Sequence, residues 1–518
     1  MMSRPDKAGL WGMAGLILAI VISVGLAAFH GYHKEYFYED EVLSYTLSNS
    51  RHGAYFQLRP GEWYRGEDLL AYTYVEKGHG FDFANTIANQ QEDTHPPIYA
   101  LLLHAVCSFA PGHFSKWAGL GLNLVCYILV IILLYLTCLF LFPDHPLYGI
   151  PVCLVFGMTA GIAALAVFIR MYILLMVLTM LCLLWHLKVI RSGGGVKMYM
   201  ALILLTYAGV MTHYFYLFFA FFCAAFLCVY LLIKKNFREV ILYAVSMAIS
   251  AALILITWNR VIWQMFTEET AGDALSQELN AKVILSKILH MAKAADGELF
   301  GDRLAYLALI TVIFAVYLAV KDRAALKRTV FVSPEISFTV FTSVCFFVTV
   351  SAVTPYPSTR YVSPAYPLFL LLAVVTLKQV SDTTFRSPLL GLAVIILFMA
   401  APELRILQNG LTDQNRQIIS EISYEHRDDV CFFGAGIPPE ENVFELERFD
   451  RIYVYDGKNA AGAAEDIKEP DRIVFYVPSG KEPEEYAKDI LAVYPDLKNM
   501  ERLYVAYYST CYMLSRGE

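Results

Sequence analysis

Charged residues are scarce in this chain, and their scarcity excludes an ordinary soluble globule. Asp, Glu, Lys and Arg make up 17% of the 518 residues, whereas hydrophobic residues make up 57%. Soluble domains are typically about a quarter charged and about half apolar. Basic charge is also in short supply, because 40 Lys and Arg stand against 47 Asp and Glu, for a net charge of -7. This balance argues against a general attraction to nucleic acid or to anionic lipid.

Metal-binding cysteine motifs are missing as well. No Cys-x-x-Cys pair occurs among the ten cysteines. Cys431 and Cys511 fall in the polar tail, where they could pair in an oxidising compartment or remain free thiols. The other cysteines lie in apolar stretches, where cysteine usually behaves as a small hydrophobic residue. They are Cys107, Cys126, Cys138, Cys153, Cys182, Cys223, Cys228 and Cys345.

Long apolar runs dominate what is present, and they predict a polytopic α-helical membrane protein. The run from Leu10 to Phe29 follows basic residues, as in a signal peptide. It is about 20 residues long and shows no clear cleavage site, so we interpret it as a retained first helix. The segment from Pro96 to Phe109 is short for a span and predicts an interfacial or re-entrant helix. About eleven spans are predicted, at 9–29, 117–142, 149–168, 171–190, 198–213, 215–233, 240–262, 303–320, 332–353, 362–379 and 388–404.

The distribution of basic residues predicts the orientation of these spans in a cell membrane. If the first helix leaves the cytoplasm and the Pro96 segment does not cross, every short basic cluster lies on the inner side. The N-terminus is then cytoplasmic, and residues 30–116 form a first outer loop that contains the interfacial helix. The inner clusters are Lys188, Arg191 and Lys197; Lys234, Lys235 and Arg238; Lys321, Arg323, Lys327 and Arg328; and Lys378 and Arg386.

The chain changes character after about residue 405. Runs of β-type residues alternate with a helical stretch from Glu482 to Val493, and glycine-containing turns follow two of the runs, which is typical of a small α/β domain. The predicted division is therefore a transmembrane domain over residues 1–405 and an α/β domain outside the membrane over residues 406–518. The predicted strands are Val430–Phe433, Arg451–Tyr455, Arg472–Val477 and Leu503–Tyr508.

Five polar motifs fall on the predicted outer face. Each has an ordinary explanation: a solvated turn, a proline helix start, a snorkelling arginine, an interfacial His-Tyr pair or a proline-braced loop. Together they bring carboxylates, two arginines, two histidines and several tyrosines to one side. The motifs are Glu39-Asp40-Glu41, Asp93-Thr94-His95-Pro96-Pro97-Ile98-Tyr99, Phe168-Ile169-Arg170-Met171-Tyr172, Thr212-His213-Tyr214 and Pro355-Tyr356-Pro357-Ser358-Thr359-Arg360-Tyr361-Val362-Ser363-Pro364.

Transfer of a group from a lipid phosphate carrier would use this set of side chains. Arginines bind phosphate through paired hydrogen bonds. A carboxylate can remove the proton from an attacking hydroxyl. The aromatic rings offer stacking surfaces for a sugar or a lipid.

The same motifs resemble those of the GT-C membrane glycosyltransferases, in the branch that contains the protein O-mannosyltransferases and the lipid A aminoarabinose transferase. The resemblance covers about residues 1–405 and rests on Asp40-Glu41, His95-Pro96-Pro97-Ile98-Tyr99, Arg170-Met171-Tyr172, Thr212-His213-Tyr214, and Arg360-Tyr361 with Pro364. It implies a sugar donor carried on polyprenyl phosphate. It also implies an inverting transfer, on the outer face, to a hydroxyl of a lipid, a glycan or a protein.

The resemblance further implies roles for single residues. Asp40 would be the general base, with Glu41 as a supporting or acceptor-positioning group. Arg170 and Arg360 would bind the donor phosphate and stabilise the charge that builds on it. One position departs from the pattern, because relatives often carry Glu where this chain has Phe168. The remaining predicted substrate contacts are Asp93, His95, Tyr172, His213, Tyr214 and Tyr361.

Other functions stay open at this point. A transporter or flippase for a lipid-linked sugar would share the arginines but needs no acidic base; transporters often show internal repeats, and none is visible here. A membrane scaffold with an outer binding domain leaves the polar motifs unexplained. A divalent metal also stays open, with Asp93, His95 and His213 as candidate ligands, although plain hydrogen bonding explains these residues as well.

Overall fold

A computed structural model describes residues 7–266, 280–321, 333–354, 356–385 and 429–517. Its helices, in chain order, are α1 Lys7–Tyr32, α2 Glu39–Asn49, α3 Gly66–Leu70, α4 Phe83–Gln90, α5 Ile98–Cys107, α6 Lys116–Leu141, α7 Gly149–Met158, α8 Ala160–Val167, α9 Tyr172–Ser192, α10 Val196–Val210, α11 Tyr216–Ile233, α12 Phe237–Thr257, α13 Val261–Phe266, α14 Ala281–Phe300, α15 Leu304–Lys321, α16 Pro334–Val353, α17 Tyr366–Phe385, α18 Val443–Leu446, α19 Ala460–Ala463 and α20 Pro483–Val493. Its strands are β1 Trp63–Tyr64, β2 Val430–Gly434, β3 Ile452–Tyr455, β4 Arg472–Pro478, β5 Leu497–Val505 and β6 Ser509–Arg516.

The chain divides into two compact units. The first unit comprises Met1–Tyr32, Thr94–Tyr99 and Leu120–Asn409. The second unit comprises His33–Asp93, Ala100–Gly119 and Gly410–Glu518. The predicted boundary between residues 405 and 406 lies outside the described residues, and that division stays a prediction.

The first unit has the apolar helices of a multi-pass membrane protein, as predicted. Among the described residues, six helices are long and apolar enough to cross a membrane, or seven if the bent pair α7 and α8 forms one span. The predicted span 388–404 lies outside the described residues, and every other predicted span falls on an apolar helix or on the α7–α8 pair. The total of about eleven spans and their orientation stay predictions.

The bend between α7 and α8 has a local cause. The two helices meet at 65° around Thr159, whose backbone is extended (φ -76°, ψ 130°). The Thr159 hydroxyl donates a hydrogen bond to the carbonyl of Val155 at 2.6 Å. A side chain that bonds to the preceding turn competes with the backbone and favours a helix break. This bend leads the chain into the short segment that carries Arg170.

The second unit is built on one mixed six-stranded sheet with the order β1-β3-β2-β4-β6-β5. Strand β2 is parallel to both β3 and β4, whereas β1, β6 and β5 pair antiparallel with their neighbours. The central strands β2 and β3 are buried along their whole lengths. A sheet with parallel central strands needs covering helices, and Ile490 of α20 is fully buried in the sheet's hydrophobic core.

The predicted α/β character of the C-terminal region is confirmed, although the strands were only partly predicted. Strands β2, β3 and β4 and helix α20 lie where the sequence predicted them. The predicted strand Leu503–Tyr508 is partly wrong, because β5 ends at Val505. The following backbone N–H groups of Tyr507 and Tyr508 donate instead to the carboxylate of Glu441. Strand β6 was missed.

Strand β1 was also missed, and it comes from the region that the sequence assigned to the first outer loop. Trp63 pairs with Tyr453, so this loop adds the edge strand of the sheet. Three rings from distant parts of the chain pack together beside it: the centroid of the Phe444 ring lies 4.7 Å from that of Phe37 and 4.6 Å from that of Phe114. The predicted loop and the C-terminal region therefore share one core.

Candidate functional site

Three corners of the first unit place arginine, histidine and tyrosine side chains next to one another. We call Arg170, Tyr172, His213, Arg360 and Tyr361 the arginine cluster. The Tyr172 ring centroid lies 5.9 Å from that of His213 and 6.1 Å from that of Tyr361. The His213 and Tyr361 centroids are also 6.1 Å apart. The structure thus brings together residues from three of the five predicted motifs.

The first corner, between α8 and α9, is held by the carbonyl of Phe168. This carbonyl accepts hydrogen bonds from the backbone N–H of Arg170 at 2.7 Å and from the side-chain amide of Asn123 at 2.6 Å. Arg170 is buried, with 5% of its surface exposed. Because α9 begins at Tyr172, the corner fixes the arginine at the start of a buried helix.

The second corner, between α10 and α11, turns sharply around His213. The N–H groups of Thr212 and His213 both donate to the carbonyl of Gly209. A Cβ atom at residue 209 would overlap the ring of Tyr216, so the close return of the chain requires glycine there. The turn leaves His213 buried, at 6% exposure.

The third corner carries Arg360 on a single turn of 3-10 helix before α17. Its backbone is braced by Ser363, whose hydroxyl donates to the Arg360 carbonyl at 2.7 Å. Glu298 of α14 ties this turn to the start of α17, because it accepts hydrogen bonds from the hydroxyls of Thr359 at 2.5 Å and Tyr366 at 2.7 Å. A carboxylate that accepts two hydroxyl hydrogen bonds holds the turn more firmly than either contact alone.

The guanidinium of Arg360 lies over aromatic rings. Its central carbon is 5.3 Å from the ring centroid of Tyr361, 5.8 Å from that of Phe168 and 5.9 Å from that of Tyr172. Ring faces attract a cation within about 6 Å, by about 0.5–2 kcal/mol. The three rings therefore hold the guanidinium in position at this corner.

His213 is neutral in this surrounding. Burial, together with the neighbouring His95, Arg170 and Arg360, lowers the pKa of His213 well below its ordinary value. Its Nδ1 accepts a hydrogen bond from the backbone N–H of Phe215 at 3.1 Å, so the ring proton is on Nε2. Within the described residues, Nε2 is buried and has no hydrogen-bond partner. A buried donor of this kind is costly unless a ligand accepts from it.

His95 joins the cluster through the segment Thr94–Tyr99. The ring centroids of His95 and His213 are 5.7 Å apart. The segment is tied to the second corner by the N–H of Ile98, which donates to the carbonyl of Met211 at 3.0 Å. The Tyr99 hydroxyl donates to the Asn123 side chain at 3.1 Å. The side-chain amide of Asn123 also donates to the carbonyl of Phe168 at the first corner. It therefore connects the motif that contains Tyr99 with the motif that contains Arg170.

Tyr214 belongs to another network. Its hydroxyl lies 2.5 Å from the side-chain oxygen of Gln264 and accepts a hydrogen bond from the Trp258 indole at 3.0 Å. The indole also donates to Gln264 at 2.8 Å. These contacts anchor the second corner to the segment after α12. Tyr214 therefore helps to fix the position of its neighbour His213, which belongs to the arginine cluster.

The carboxylate triplet forms the first turn of α2 in the second unit. Glu41 is buried, at 1% exposure, and its carboxylate lies 2.9 Å from the Lys34 ammonium. The same carboxylate accepts the backbone N–H of Tyr38 at 3.0 Å, so it caps the helix. Glu39 accepts a hydrogen bond from the Tyr508 hydroxyl at 3.1 Å. Acidic residues in a first turn are also favoured by the helix dipole.

Asp40 and Asp93 complete the predicted acids of the second unit. Asp40 is half-buried in the first turn of α2, between Glu39 and Glu41 in sequence. Both carboxylate oxygens of Asp93 accept hydrogen bonds, one from the Tyr55 hydroxyl at 3.2 Å and one from the Gln90 amide at 2.9 Å. These contacts give Asp93 a structural role at the end of α4. The idea that it binds metal with the two histidines stays a prediction.

Sequence reasoning missed two residues that organise the arginine cluster. Asn123 is fully buried within the apolar helix α6, and a buried amide in such a helix marks a polar contact that must be satisfied. That signal was available in the sequence. Glu298 had no comparable signal, because its partners Thr359 and Tyr366 are distant in sequence.

The arginine cluster has the properties of an anion-binding site. Two permanent cations and a neutral histidine donor come together where the three corners of the first unit meet, beside three rings. Arginine is suited to phosphate or carboxylate because its planar fork donates two parallel hydrogen bonds. Together, the fold and the cluster define a multi-pass membrane protein in which two arginines and a histidine gather where three helix corners meet.

The fold is shared with solved structures of ArnT from Cupriavidus metallidurans. The structure of ArnT in the apo state matches with 11% identity and a TM-score of 0.54, and covers 98% of each chain. The structure of ArnT bound to undecaprenyl phosphate matches with 12% identity and a TM-score of 0.52, again over 98% of each chain. These likenesses confirm the fold that the sequence resemblance implied. No protein-family model and no curated protein sequence matches the chain.

Proposed function

We propose that the protein is a glycosyltransferase that moves a sugar from a polyprenyl-phosphate donor to a hydroxyl acceptor. The acceptor is a lipid, a glycan or a protein, and the reaction takes place on the outer face of the membrane. The observation that carries the proposal is the convergence of Arg170, Arg360 and the neutral His213, in a chain with the ArnT fold.

The arginine cluster would bind the donor phosphate. When the sugar leaves a polyprenyl phosphate, negative charge builds on the phosphate that remains. Preorganised donors that meet this charge stabilise the transition state without having to reorganise. Arg170 and Arg360 would supply the charge, and the buried Nε2–H of His213 would supply a further hydrogen bond. That one ArnT structure was solved with undecaprenyl phosphate supports this assignment.

Asp40 would be the general base. The resemblance of the Asp40-Glu41 motif to those of the GT-C glycosyltransferases supports this role. Glu41 caps α2 and pairs with Lys34, and Glu39 accepts a hydrogen bond from Tyr508. An inverting transfer needs one base to take the proton from the acceptor hydroxyl as it attacks the anomeric carbon. Glu41 would support Asp40 by fixing the first turn of α2, rather than by contacting the acceptor.

The test is a donor panel. Purified protein in detergent is incubated with polyprenyl-phosphate-linked hexoses and pentoses and with extracts of envelope lipid, glycan and protein, and products are measured by mass spectrometry. We expect one donor to be consumed and one acceptor to gain the mass of its sugar. Arg360→Lys should raise the KM for the donor, because an ammonium cannot replace the bidentate fork.

A transporter of lipid-linked sugar gives a different result. It would move the intact donor between the leaflets of a reconstituted vesicle and would add no sugar mass to any acceptor. That outcome, with the Asp40→Asn variant as active as the wild type, would contradict the proposal.

A further inference from the structure

Two cysteines and a histidine meet in the interior of the first unit, away from the arginine cluster. Cys182 and His186 lie one turn apart on α9, and Cys223 lies on α11. The two cysteines are fully buried and His186 is 1% exposed. One ligand atom from each residue lies within 4.8 Å of the ligand atoms of the other two. The sequence analysis treated both cysteines as small hydrophobic residues, and their spacing gave no reason to group them.

We propose that Cys182, His186 and Cys223 bind a thiophilic d10 metal ion of the Zn²⁺ type. The Sγ of Cys182 lies 3.5 Å from the Nδ1 of His186. Zinc–sulfur bonds of about 2.3 Å and zinc–nitrogen bonds of about 2.0–2.1 Å at a tetrahedral angle separate the two ligand atoms by about 3.5 Å. The pair on α9 is therefore already at the spacing of two ligands of one ion.

The second ring nitrogen of His186 has a hydrogen-bond partner, as the second nitrogen of a metal-bound imidazole usually does. The Nε2 of His186 lies 2.9 Å from the hydroxyl of Tyr243 on α12. Its ring is nearly parallel to that of Phe338, with an interplanar angle of 20° and a centroid distance of 5.6 Å. A hydrogen bond to the second ring nitrogen fixes the tautomer and the orientation of a ligating histidine.

Metal binding would require a change of tautomer that the surroundings permit. His186 Nδ1 lies 2.8 Å from the Cys182 carbonyl, so the metal-free ring donates Nδ1–H there. That carbonyl is already the helical acceptor for the N–H of residue 186, and it does not become unsatisfied when Nδ1 turns to a metal. The ring proton then lies on Nε2 and is donated to the Tyr243 hydroxyl.

Charge balance favours a dication with two thiolates. Binding releases one proton from each thiol, and the product contains one dication, two thiolates and a neutral imidazole, which sum to zero. A neutral complex avoids the high cost of a net charge in an apolar interior. The ion would also brace α9 and α11, the helices that begin at Tyr172 and directly after the His213 corner.

The test is the metal content of the purified full-length protein, measured by inductively coupled plasma mass spectrometry. We expect about one equivalent of zinc in the wild type, and almost none in Cys182→Ser/Cys223→Ser. The matched control is Cys126→Ser/Cys138→Ser, which removes two buried thiols of α6 and should keep the metal. Reconstitution of the wild type with Co²⁺ should give thiolate-to-cobalt charge-transfer absorption.

Three outcomes would overturn the proposal. The first is a wild type that holds no metal after purification with added zinc. The second is a Cys182→Ser/Cys223→Ser variant with the same metal content as the control. The third is a tryptic peptide pair joined by a Cys182–Cys223 disulfide. The wild-type and cobalt measurements decide the question even if the double variant fails to fold.

Discussion

The arginine cluster of the first unit and the carboxylate triplet of the second unit are organised in opposite ways. Arg170 and Arg360 are far apart in sequence, yet both lie close enough to His213 to lower its pKa. Glu39 and Glu41 are almost adjacent, yet they bind different partners, Tyr508 and Lys34. Residues that are neighbours in the sequence therefore need not act at one site, whereas residues that the fold brings together can do so.

Helix geometry explains why the triplet separates. Successive residues of an α-helix point about 100° apart, because a turn holds about 3.6 residues. Three consecutive carboxylates at the start of α2 consequently face three directions, and each meets a different environment. We propose Asp40 as the catalytic carboxylate on the resemblance of its motif, and Glu39 and Glu41 as carboxylates that hold the structure.

The largest effect is expected for the proposed base. Asp40→Asn keeps the size and polarity of the side chain but cannot accept a proton at neutral pH. We expect kcat to fall by about 10²–10⁴-fold, with thermal unfolding unchanged. The matched control is Glu39→Gln, one residue away, which should keep most activity. Equal losses in both variants would mean that the triplet acts as a unit, and would remove the special role of Asp40.

The second effect concerns stability rather than catalysis. Glu41→Gln breaks the ion pair with Lys34 and weakens the cap of α2, while the glutamine fits the same space. Leaving a buried charge without its partner and losing a cap should lower the free energy of unfolding by about 2–3 kcal/mol. The measurement is the thermal midpoint in detergent, compared with Glu35→Gln at a nearby exposed position. An unchanged midpoint with lost activity would instead place Glu41 at the acceptor.

The sequence could predict the membrane helices and the site motifs, but it could not predict the structural roles of single carboxylates. Composition and apolar runs predict the membrane helices, because a span needs a continuous apolar stretch whatever its neighbours are. The motifs around Arg170, His213 and Arg360 could be found because family resemblance preserves their order. The capping role of Glu41 and the clamp by Glu298 depend on side-chain partners that only the folded chain brings together. The short strand β1 was missed for the same reason, since two residues carry no strand signal.

A smaller effect is expected at the clamp on the Arg360 turn. Glu298→Gln keeps one acceptor oxygen for the two hydroxyls, so either Thr359 or Tyr366 loses its bond. We expect kcat/KM for the donor to fall about tenfold, equivalent to about 1.4 kcal/mol, because Arg360 becomes less well positioned for the phosphate and for the charge that builds on it.

A double-mutant cycle tests the origin of that effect. Tyr366→Phe alone should produce a similar fall in kcat/KM. The combination with Glu298→Gln should add little, because the one remaining acceptor oxygen then serves the Thr359 hydroxyl alone. Full additivity would show that Glu298 acts on the donor by another route. An unchanged kcat/KM in both single variants would argue against a positioning role altogether.

The smallest effect is expected at Tyr508, whose hydroxyl donates a hydrogen bond to Glu39. Burial and the negative charge of Glu39 raise the pKa of Tyr508, so its hydroxyl stays protonated and donates to Glu39 across the neutral pH range. Tyr508→Phe removes this one hydrogen bond from a half-buried site and should lower the free energy of unfolding by about 1 kcal/mol, with activity within about twofold of the wild type.

Tyr507→Phe is the matched control, because that neighbouring ring is 70% exposed, and it should change neither quantity. A loss of activity in Tyr508→Phe as large as that in Asp40→Asn would mean that Glu39 takes part in the chemistry, and the division of the triplet into one catalytic and two structural carboxylates would then be wrong.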